Sequence, residues 1–290
     1  MRIVVVGNGL LGSTLRDAVT DGCCDFACYQ DSGCACVGCS TTILGHADID
    51  ITSRDSITQA LRKHKPDVVI NTAAYHNLQK CEDNPDLAFE VNAAGAKLLA
   101  SMAPTVYIST DYVFWDGGPH DEALPGQQPH SIYGRSKLAG EMGTLEHGGI
   151  VVRVSALYGH YPSHKGPSFP QMIVSSHDPI RLPYDQTFSP TYAPDAADRI
   201  LALAIDPKSE GIYHAANRGY TTWAGFAEHI LGLTRHDRHV LPYQAHDKLR
   251  PRNSSLKSSR LPALPFWADG LGRWARREEH VQFVSPKRSE

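Results

Sequence analysis

The amino-acid sequence predicts an α/β fold, with a doubly wound parallel sheet followed by a smaller C-terminal lobe. Short apolar runs alternate with stretches of helical periodicity through the first half of the chain. The runs are continuously apolar, which is typical of parallel strands covered by helices on both faces. After about residue 155 the alternation loosens, and proline-rich stretches indicate loops that shape a second lobe.

Each element follows from these patterns. Apolar runs predict strands at 2–7, near 25–30 or 34–39, at 67–71, 105–109, 149–154 and 211–215. Helical periodicity, with good helix starts at Ser53 and Asn84, predicts helices at 10–20, 54–64, 85–102, 131–145, 194–205, 222–233 and 264–278. The proline-rich stretches 160–190 and 240–262 are predicted to be loops.

A chain of 290 residues is long enough for a main domain and a smaller lobe. We expect a dinucleotide-binding core over residues 1–159, to which part of 190–217 returns. Residues 160–290 are expected to form mainly a substrate-binding lobe.

Composition narrows the class of protein. The hydrophobic fraction of 41% and the charged fraction of 20% are ordinary for a globular protein. A net charge of −3 argues against nucleic acid as the main partner. No apolar segment approaches the length that a membrane span needs, and the N-terminus lacks the layout of a signal peptide. The expected location is therefore the cytoplasm.

Six of the seven cysteines fall in one short window: Cys23, Cys24, Cys28, Cys34, Cys36 and Cys39. A metal or iron–sulfur site is one interpretation of this cluster. The other is packing, because free cysteine behaves as a small buried hydrophobe. The second interpretation is preferred, and no metal site is predicted.

A glycine-rich turn follows the first predicted strand. Gly7, Gly9 and Gly12 form G-x-G-x-x-G between that strand and a helix that begins near Leu10 and Leu11. The glycines permit a tight turn, close approach to a pyrophosphate, and close packing of helix on strand. The helix N-terminus favours phosphate. The sequence therefore predicts a Rossmann-type dinucleotide site.

The choice between NADP and NAD stays open. An acidic residue about twenty positions past the glycines binds the ribose of NAD, and Asp25 and Asp31 are candidates. If the second strand is instead 34–39, then Ser40, Thr41 and Thr42 follow it and tolerate a 2′-phosphate better. NADPH is the slightly preferred expectation.

Tyr133 and Lys137 are four residues apart on a predicted helix and therefore project from one face. A nearby ammonium stabilises a phenolate, so we expect Lys137 to lower the pKa of Tyr133. That would make Tyr133 a proton donor or acceptor near neutral pH. A hydroxyl from Ser109 or Thr110 would hold the carbonyl oxygen.

With these pieces in place, the chain resembles the extended short-chain dehydrogenase/reductases, and within them the dTDP-4-dehydrorhamnose reductase family. The resemblance runs from Met1 to about Leu256. It is carried by DIDIT at 48–52, PDVVINTAAY at 66–75, FEVNAAGAKLLA at 89–100, STDYVF at 109–114, YGRSKLAGE at 133–141, DQTFSPT at 185–191, GIYHAAN at 211–217 and RPRNSSL at 250–256.

The resemblance implies a role for particular residues. It implies a catalytic set of Thr110, Tyr133 and Lys137. Around the cofactor, which is NADP or NAD, it implies Gly7, Gly9, Leu10, Leu11, Gly12, Asp50, Ile51, Ala73, Ala74, Tyr75 and Asn92, together with Tyr133 and Lys137. Around the sugar nucleotide the expected residues are Asp111, Tyr112, Ala156, Phe169 and Arg252, and Arg250 and Arg252 are candidates for the phosphates.

Three departures from the family pattern affect the prediction. The glycine loop is one residue shorter than G-x-x-G-x-x-G. Ala156 stands where many members carry the tryptophan of R-x-S-W, which changes a contact with the sugar. The acidic residues that bind a metal between subunits in some members have no evident match.

The expected reaction is reduction of the 4-keto group of a nucleotide-activated deoxysugar, dTDP- or UDP-linked, with Tyr133 as proton donor. Two alternatives stay open. One is a reductase or epimerase/reductase for a different nucleotide ketosugar. The other is a non-catalytic regulatory subunit of the same fold, as in the β subunit of methionine adenosyltransferase. A homodimer is also left open.

Overall fold

The structure is a computed structural model that describes residues 1–20, 38–124, 126, 129–161, 166–177, 179–245 and 247–278. Its centre is a six-stranded sheet in which each pairing is parallel. In spatial order the strands are β10 (Gly211–His214), β5 (Ile150–Val154), β4 (Thr105–Thr110), β3 (Val68–Asn71), β1 (Arg2–Val6) and β2 (Ser40–Leu44).

Helices cover both faces of this sheet, as the continuous apolar strands require. On β1, Ile3 and Val5 point into a cluster with helix α1 and helix α8, whereas Val4 and Val6 point into a cluster with helix α2. The helices that surround the sheet are α1 (Leu10–Thr20), α2 (Arg54–His64), α3 (Leu78–Asp83), α4 (Pro85–Phe89), α5 (Ala96–Ala100), α6 (Ile132–Glu146) and α8 (Ala193–Ile205). The predicted doubly wound parallel sheet is confirmed.

A second hydrophobic cluster lies outside the sheet and forms the smaller lobe. Its largest buried side chains include Trp274, Phe226 and Tyr158. The helices of this lobe are α7 (Phe169–Ser175), α9 (Trp223–Thr234) and α10 (Trp267–Glu278). Its short strands are β6 (Leu157–Tyr158), β7 (Ile180–Pro183), β8 (Thr187–Phe188), β9 (Thr191–Tyr192), β11 (Asn217–Arg218), β12 (Thr221–Thr222), β13 (Val240–Tyr243) and β14 (Leu264–Phe266).

The chain crosses between lobe and sheet more than once. After β9 it enters α8, which packs against α1, and then β10, which pairs with β5 at the sheet edge. Both elements lie within 190–217, the range whose return to the core stays a prediction. The boundary near residue 159 itself stays a prediction.

The second strand differs from both positions predicted for it. It is β2, so Ser40, Thr41 and Thr42 lie within the strand and do not follow it. The reason is that β2 is an edge strand, half-exposed along most of its length, and needs no continuous apolar run. Asp25 and Asp31 lie outside the described residues.

Two further predictions need correction. The helix predicted over 85–102 is divided into α4, a π-helical turn (Glu90–Gly95) and α5. The stretches predicted as loops contain α7 and β7 in the first and β13 in the second, where β7 and β13 pair in parallel. Within the described residues, no helix combines the length and apolar character that would let it cross a membrane.

Candidate active site

A cavity of about 700 Å³ opens at the carboxyl ends of strands β1 to β5. In parallel α/β sheets, ligands bind at this end of the strands. The cavity is bordered by the glycine turn, by the segments after β2 and β3, by the end of β4, by helix α6 and by the start of α7. Its lining includes most of the site residues that the sequence predicts: Gly7, Gly9, Leu10, Leu11, Gly12, Asp50, Ile51, Ala73, Ala74, Tyr75, Thr110, Asp111, Tyr133, Lys137, Ala156 and Phe169.

The glycine turn has no room for larger side chains. Gly7 has a φ of +109°, and a Cβ there would lie 2.4 Å from the Thr72 hydroxyl oxygen. A Cβ on Gly12 would lie 2.0 Å from the carbonyl oxygen of Gly7. The backbone therefore approaches the cavity closely, and the first turn of α1 points its free N–H groups into it. This is a cradle for a phosphate group.

Replacing Gly12 by alanine is expected to raise the dissociation constant for NADPH by about tenfold or more, since the turn must open to admit the Cβ. Isothermal titration calorimetry measures the change. The matched control is Gly232→Ala in α9, where an added Cβ meets no atom within 4 Å. The control should bind NADPH like the wild type and gain about 0.5–1 kcal/mol of stability. Equal affinities for both variants would contradict the expectation.

Residues after β2 border the far end of the cavity. Gly45 and His46 follow the strand directly, and Asp50, Ile51 and Thr52 complete this wall. The Asp50 carboxylate accepts hydrogen bonds from the Thr52 hydroxyl at 2.7 Å and from the Thr52 backbone N–H at 2.9 Å. These bonds lower the pKa of Asp50. The contribution of His46 was missed by the sequence analysis because β2 was placed too early.

Asn92 holds the segment after β3 in place through hydrogen bonds to its backbone. Its side chain accepts from the Tyr75 backbone N–H at 2.8 Å, and donates to the Tyr75 carbonyl at 2.8 Å and to the Ser136 hydroxyl at 2.9 Å. Asn92 is fully buried and lies within the π-helical turn, a feature often found at functional sites. It therefore links the Tyr75 wall of the cavity to helix α6.

Tyr133, Lys137 and Thr110 meet at the centre of the cavity. Tyr133 and Lys137 project from the first two turns of α6, and Thr110 ends β4. The hydroxyl of Thr110 lies close enough to the Tyr133 phenol to act on its pKa. Lys137 is buried and donates from Nζ to the Ile108 carbonyl at 2.6 Å. All three residues thus line one cavity, and their catalytic roles stay a prediction.

The pKa of Tyr133 differs from the sequence-based expectation. Burial raises the pKa of the phenol well above its ordinary value, and the Thr110 hydrogen bond offsets only part of this effect. Burial also lowers the pKa of Lys137 to about 7, against a smaller opposing effect of Glu141. The expected lowering of the Tyr133 pKa by Lys137 is not found, because the hydrogen bond of the ammonium goes to Ile108.

Asp111 is a buried carboxylate beside the catalytic group. It accepts hydrogen bonds from Ser254 at 2.6 Å, from Ser155 at 2.8 Å and from Thr110 at 3.1 Å. Burial raises its pKa to about 6, although these three bonds act in the opposite direction. Asp111 thereby joins the ends of β4 and β5 to the segment that contains Ser254.

Asp111→Asn is expected to gain stability relative to the wild type as pH rises. The folded-state pKa lies above the unfolded value of 3.8, so the stability linked to the protonated acid is complete below pH 3.8 and is lost as pH rises through about 6. Asparagine does not titrate. The unfolding free energy of the variant relative to the wild type should therefore rise by up to about 3 kcal/mol between about pH 4 and pH 7.

Urea denaturation at several pH values checks this difference. Asp67→Asn provides a control of opposite sign, because the hydrogen bonds from Arg2 lower the pKa of Asp67. That variant should lose stability relative to the wild type as pH rises. A pH-independent difference for Asp111→Asn would contradict the expectation.

A smaller cavity of about 70 Å³ adjoins Asp111 on the lobe side. Ala156 borders both cavities and has a left-handed backbone, with a φ of +39°. Phe188 and Trp223 close the far wall, with ring centroids 4.0 Å apart. Trp223 also packs against Phe169, 4.9 Å away. Trp223 is not among the residues predicted for the site, since its position at a helix start gives no sign of the cavity in front of it.

The structure places Arg250, rather than Arg252, beside the smaller cavity. The Arg250 guanidinium is hydrogen-bonded to Asp247 and to Tyr112, and both Arg250 and Tyr112 line the cavity. Arg252 is exposed and borders neither cavity; its backbone bonds to Trp115 and Thr187. Because the segment is extended, the two arginines take different environments.

The cysteine cluster falls largely outside the described residues. Within the described residues, Cys39 and Cys81 form no disulfide bond. In the part of the chain that is described, no group of three or more histidine, cysteine, aspartate or glutamate side chains could hold a metal ion.

Comparisons with known proteins agree with this geometry. The family model "RmlD substrate binding domain" matches residues 1–276. A dTDP-4-dehydrorhamnose reductase from Streptomyces griseus is 36% identical over 248 residues, which cover 78% of this chain and 80% of the relative. A probable dTDP-4,6-dihydroxy-2-methyloxan-3-one 4-ketoreductase from Streptomyces antibioticus is 34% identical, with 80% of this chain and 78% of the relative covered.

Among solved structures, a dTDP-4-dehydrorhamnose reductase from Bacillus anthracis in complex with NADP superposes with a TM-score of 0.82. It is 30% identical, and the match covers 95% of this chain and 99% of that one. The structural match thus extends over sheet and lobe, and this chain belongs to the RmlD substrate-binding-domain family.

Proposed function

We propose that this protein is an NAD(P)H-dependent oxidoreductase that reduces the 4-keto group of a dTDP-linked deoxysugar, in the manner of dTDP-4-dehydrorhamnose reductases. The observation that carries the proposal is the meeting of Thr110, Tyr133 and Lys137 in the cavity that the glycine turn also borders. One cavity thus offers a phosphate cradle and a proton donor. A regulatory protein of the same fold has no need for this arrangement.

The residues around the cavity suit a dinucleotide. Gly7 and Gly12 leave the close approach that a pyrophosphate needs, and α1 directs its N–H groups to the same place. Asp50 and Ile51 would face the adenosine end, and Ala73, Ala74 and Tyr75 the middle of the cofactor. Lys137 would hold the nicotinamide ribose. When bound, the reduced nicotinamide supplies the hydride.

The protein's own residues supply the proton. Burial keeps the Tyr133 phenol protonated, so the proton is in place before the carbonyl oxygen gains charge. The Thr110 hydroxyl, whose single proton is donated to Asp111 in the structure, would turn that proton toward the oxygen as its charge develops. Lys137 borders the same cavity and would supply a positive charge there, while its Nζ donates to the Ile108 carbonyl. Asp111 fixes Thr110 through the 3.1 Å bond from its hydroxyl.

The sugar nucleotide would extend from Tyr133 toward the lobe. Asp111 and Tyr112 would border the sugar, together with Ala156 and Phe169. Arg250 offers a guanidinium for the phosphates, because its planar donors match phosphate oxygens bidentately. This assignment supports Arg250 more than Arg252 as the phosphate partner.

The test is turnover of a panel of nucleotide ketosugars. Purified protein is mixed with NADPH or NADH and with dTDP- or UDP-linked 4-keto-6-deoxyhexoses, and the loss of nicotinamide absorbance is followed. Oxidation with a dTDP-linked 4-ketosugar, and its product identified by NMR, would support the proposal. Tight cofactor binding without oxidation of any substrate in the panel would favour a regulatory protein instead.

A different ketosugar is the second candidate. The space beside Ala156, and a relative named as a ketoreductase for a 2-methyloxan-3-one, both favour a substrate other than dTDP-4-dehydrorhamnose. The configuration of the product at C3 and C5 separates a simple reductase from an epimerase/reductase. Deuterium exchange is a second measurement, because only an epimerase/reductase exchanges solvent deuterium at those carbons.

We also propose that the enzyme is a cytoplasmic homodimer. Leu87 and Phe89 on α4 and Met142 on the adjoining α6 are large apolar side chains exposed at 40%, 37% and 67%. Burying them against a second copy would remove this apolar surface from water. Light scattering of the wild type and of Met142→Glu tests the assembly, and a monomeric wild type would overturn it.

A further inference from the structure

The ammonium of Lys137 rests on the face of a buried aromatic ring. Its Nζ lies 3.9 Å from the centroid of Tyr107, the residue that precedes Ile108 on β4. Both side chains are shielded from solvent, with exposures of 1% for Lys137 and 0% for Tyr107. A cation over a ring face is attracted by the ring's quadrupole, and the attraction is strongest where water is excluded.

Tyr107 is held firmly beneath the lysine. Its hydroxyl donates to the Asn92 carbonyl at 2.7 Å. Helix α6 passes close above the ring at Gly140, where a Cβ would lie 2.5 Å from the Tyr107 hydroxyl oxygen. Gly140 therefore leaves room for the Tyr107 ring between Asn92 and Lys137. The hydroxyl fixes one end of the ring, and one face of the ring contacts the ammonium.

The carboxylates near Lys137 have other partners. Glu141, one turn further along α6, accepts from Arg153 at 2.9 and 2.7 Å and from Ser109 at 2.5 Å. Asp111 accepts from Ser155, Ser254 and Thr110. The titratable and charged groups on the elements around Lys137 are Tyr133 and Glu141 on α6, Tyr107 on β4, Asp111 directly after β4, and Arg153 on β5. Among these, the Tyr107 ring makes direct contact with Nζ.

We propose that Tyr107 is a positioning residue that acts through Lys137: its ring face keeps the lysine charged and at a fixed height beneath Tyr133. The proposal rests on the proposed reductase function. It assigns the effect to the electrons of the ring and gives the hydroxyl only the task of anchoring the ring to Asn92. Tyr107 itself touches neither the expected cofactor nor the expected sugar.

Two substitutions separate ring from hydroxyl. Tyr107→Phe keeps the ring face and loses the bond to Asn92, whereas Tyr107→Leu loses the ring. The alkaline limb of kcat/KM against pH is expected to move down by about one pH unit in Tyr107→Leu, because the charged lysine loses its partner. At pH values above the alkaline limb, kcat of Tyr107→Leu should be about tenfold lower than that of the wild type. Its KM should stay within about threefold of the wild-type value. Tyr107→Phe should show less than half of each change.

Tyr213→Leu is the matched control. Tyr213 is a buried tyrosine on β10 whose ring lies 4.1 Å below the Arg260 guanidinium, remote from the cavity. Its replacement removes a cation–ring contact of the same kind. The pH profile of this variant should coincide with that of the wild type.

If Tyr107→Leu disturbs folding, a graded series of aromatic substitutions at position 107 still tests the proposal. Position 107 is filled with phenylalanine and then with mono-, di- and trifluorophenylalanine, which keep the size of the ring while weakening its quadrupole. The pKa of Lys137 in the NADP complex is read from the NMR signals of its Cε methylene, assigned through Lys137→Arg. We expect that pKa to fall in step with the number of fluorines.

Equal pH profiles for Tyr107→Leu and the wild type, or equal losses in Tyr107→Phe and Tyr107→Leu, would overturn the proposal. A Lys137 pKa that is insensitive to fluorination would overturn it too. The NMR titration needs no sugar substrate, so it judges the role of Tyr107 even if the ketosugar panel is inert. Failure of the panel alone therefore counts against the proposed function and not against the lysine contact.

Discussion

Replacing Tyr133 by phenylalanine is expected to lower kcat by about 10³-fold while the dissociation constant for NADPH stays within about twofold of the wild type. The substitution removes one oxygen from the point where Thr110 and Tyr133 meet. A positioned general acid contributes 10²–10⁴-fold to a rate. Stopped-flow absorbance gives kcat, and calorimetry gives the NADPH affinity.

Tyr158→Phe is the control for this experiment. Tyr158 is fully buried, whereas Tyr133 is partly buried, and the Tyr158 hydroxyl makes a 3.4 Å bond to the Trp267 carbonyl, but Tyr158 borders neither cavity. Its loss should leave kcat within about twofold of the wild type. Retention of wild-type turnover by Tyr133→Phe would exclude Tyr133 as the proton donor, whereas a parallel loss of NADPH binding would assign it to cofactor binding instead.

Glu141→Gln should destabilise the protein by about 4 kcal/mol, the largest stability effect that we expect of a single substitution here. Glu141 and Arg153 form a bidentate pair with side-chain exposures of 2% and 0%. The guanidinium also lies 4.9 Å from the Phe114 ring. The substitution leaves a buried arginine charge without its counter-charge, and such removal costs far more than the pair itself contributes. Urea denaturation gives the free energy of unfolding.

A glutamate on the same helix serves as control. Glu146 pairs with Lys97 at 2.7 Å, and both side chains are about half exposed, at 60% and 48%. Glu146→Gln should leave the free energy of unfolding close to that of the wild type, because solvent screens the pair. Replacing Glu141 and Arg153 together by methionine should recover much of the loss. Equal effects of Glu141→Gln and Glu146→Gln would contradict this account.

The nucleotide-binding half of the fold was predictable because its signals are local. The strand before Gly7, the helix after it and the Tyr133–Lys137 spacing each depend on a few adjacent residues. The parallel sheet then follows from alternation of elements, since buried strands must be apolar on both faces. The catalytic meeting point required one further inference, that β4 ends beside the start of α6.

The second strand was not predictable because its environment is decided by its place in the sheet. As the edge strand, β2 exposes Ser40 and Thr42 and has no apolar run, whereas the cysteine-rich segment before it has one. The π-helical turn around Asn92 is similarly invisible, because its sequence is compatible with a regular helix. The bond from Tyr107 to the Asn92 carbonyl is a tertiary effect.

Within the site, the sequence did not predict the directions in which the long side chains extend. Arg250 and Arg252 are equivalent by composition, and only the path of the backbone decides that Arg250 borders the smaller cavity. Lys137 was expected to act on Tyr133 directly, but its Nζ is directed to Ile108 and Tyr107. Spacing on a helix tells which side chains share a face, and not which of several neighbours a long flexible side chain selects.

The last strand of the central sheet, β10, is synthesised long after the other five, which affects folding during translation. During translation, β1 to β5 emerge first, and β5 stays an unpaired edge until residues 211–214 leave the ribosome. While most of the lobe is being synthesised, the growing chain thus exposes a strand edge that favours pairing with other chains. A nascent chain released at residue 159 would lack α8 and β10 and be a target for chaperones and proteases.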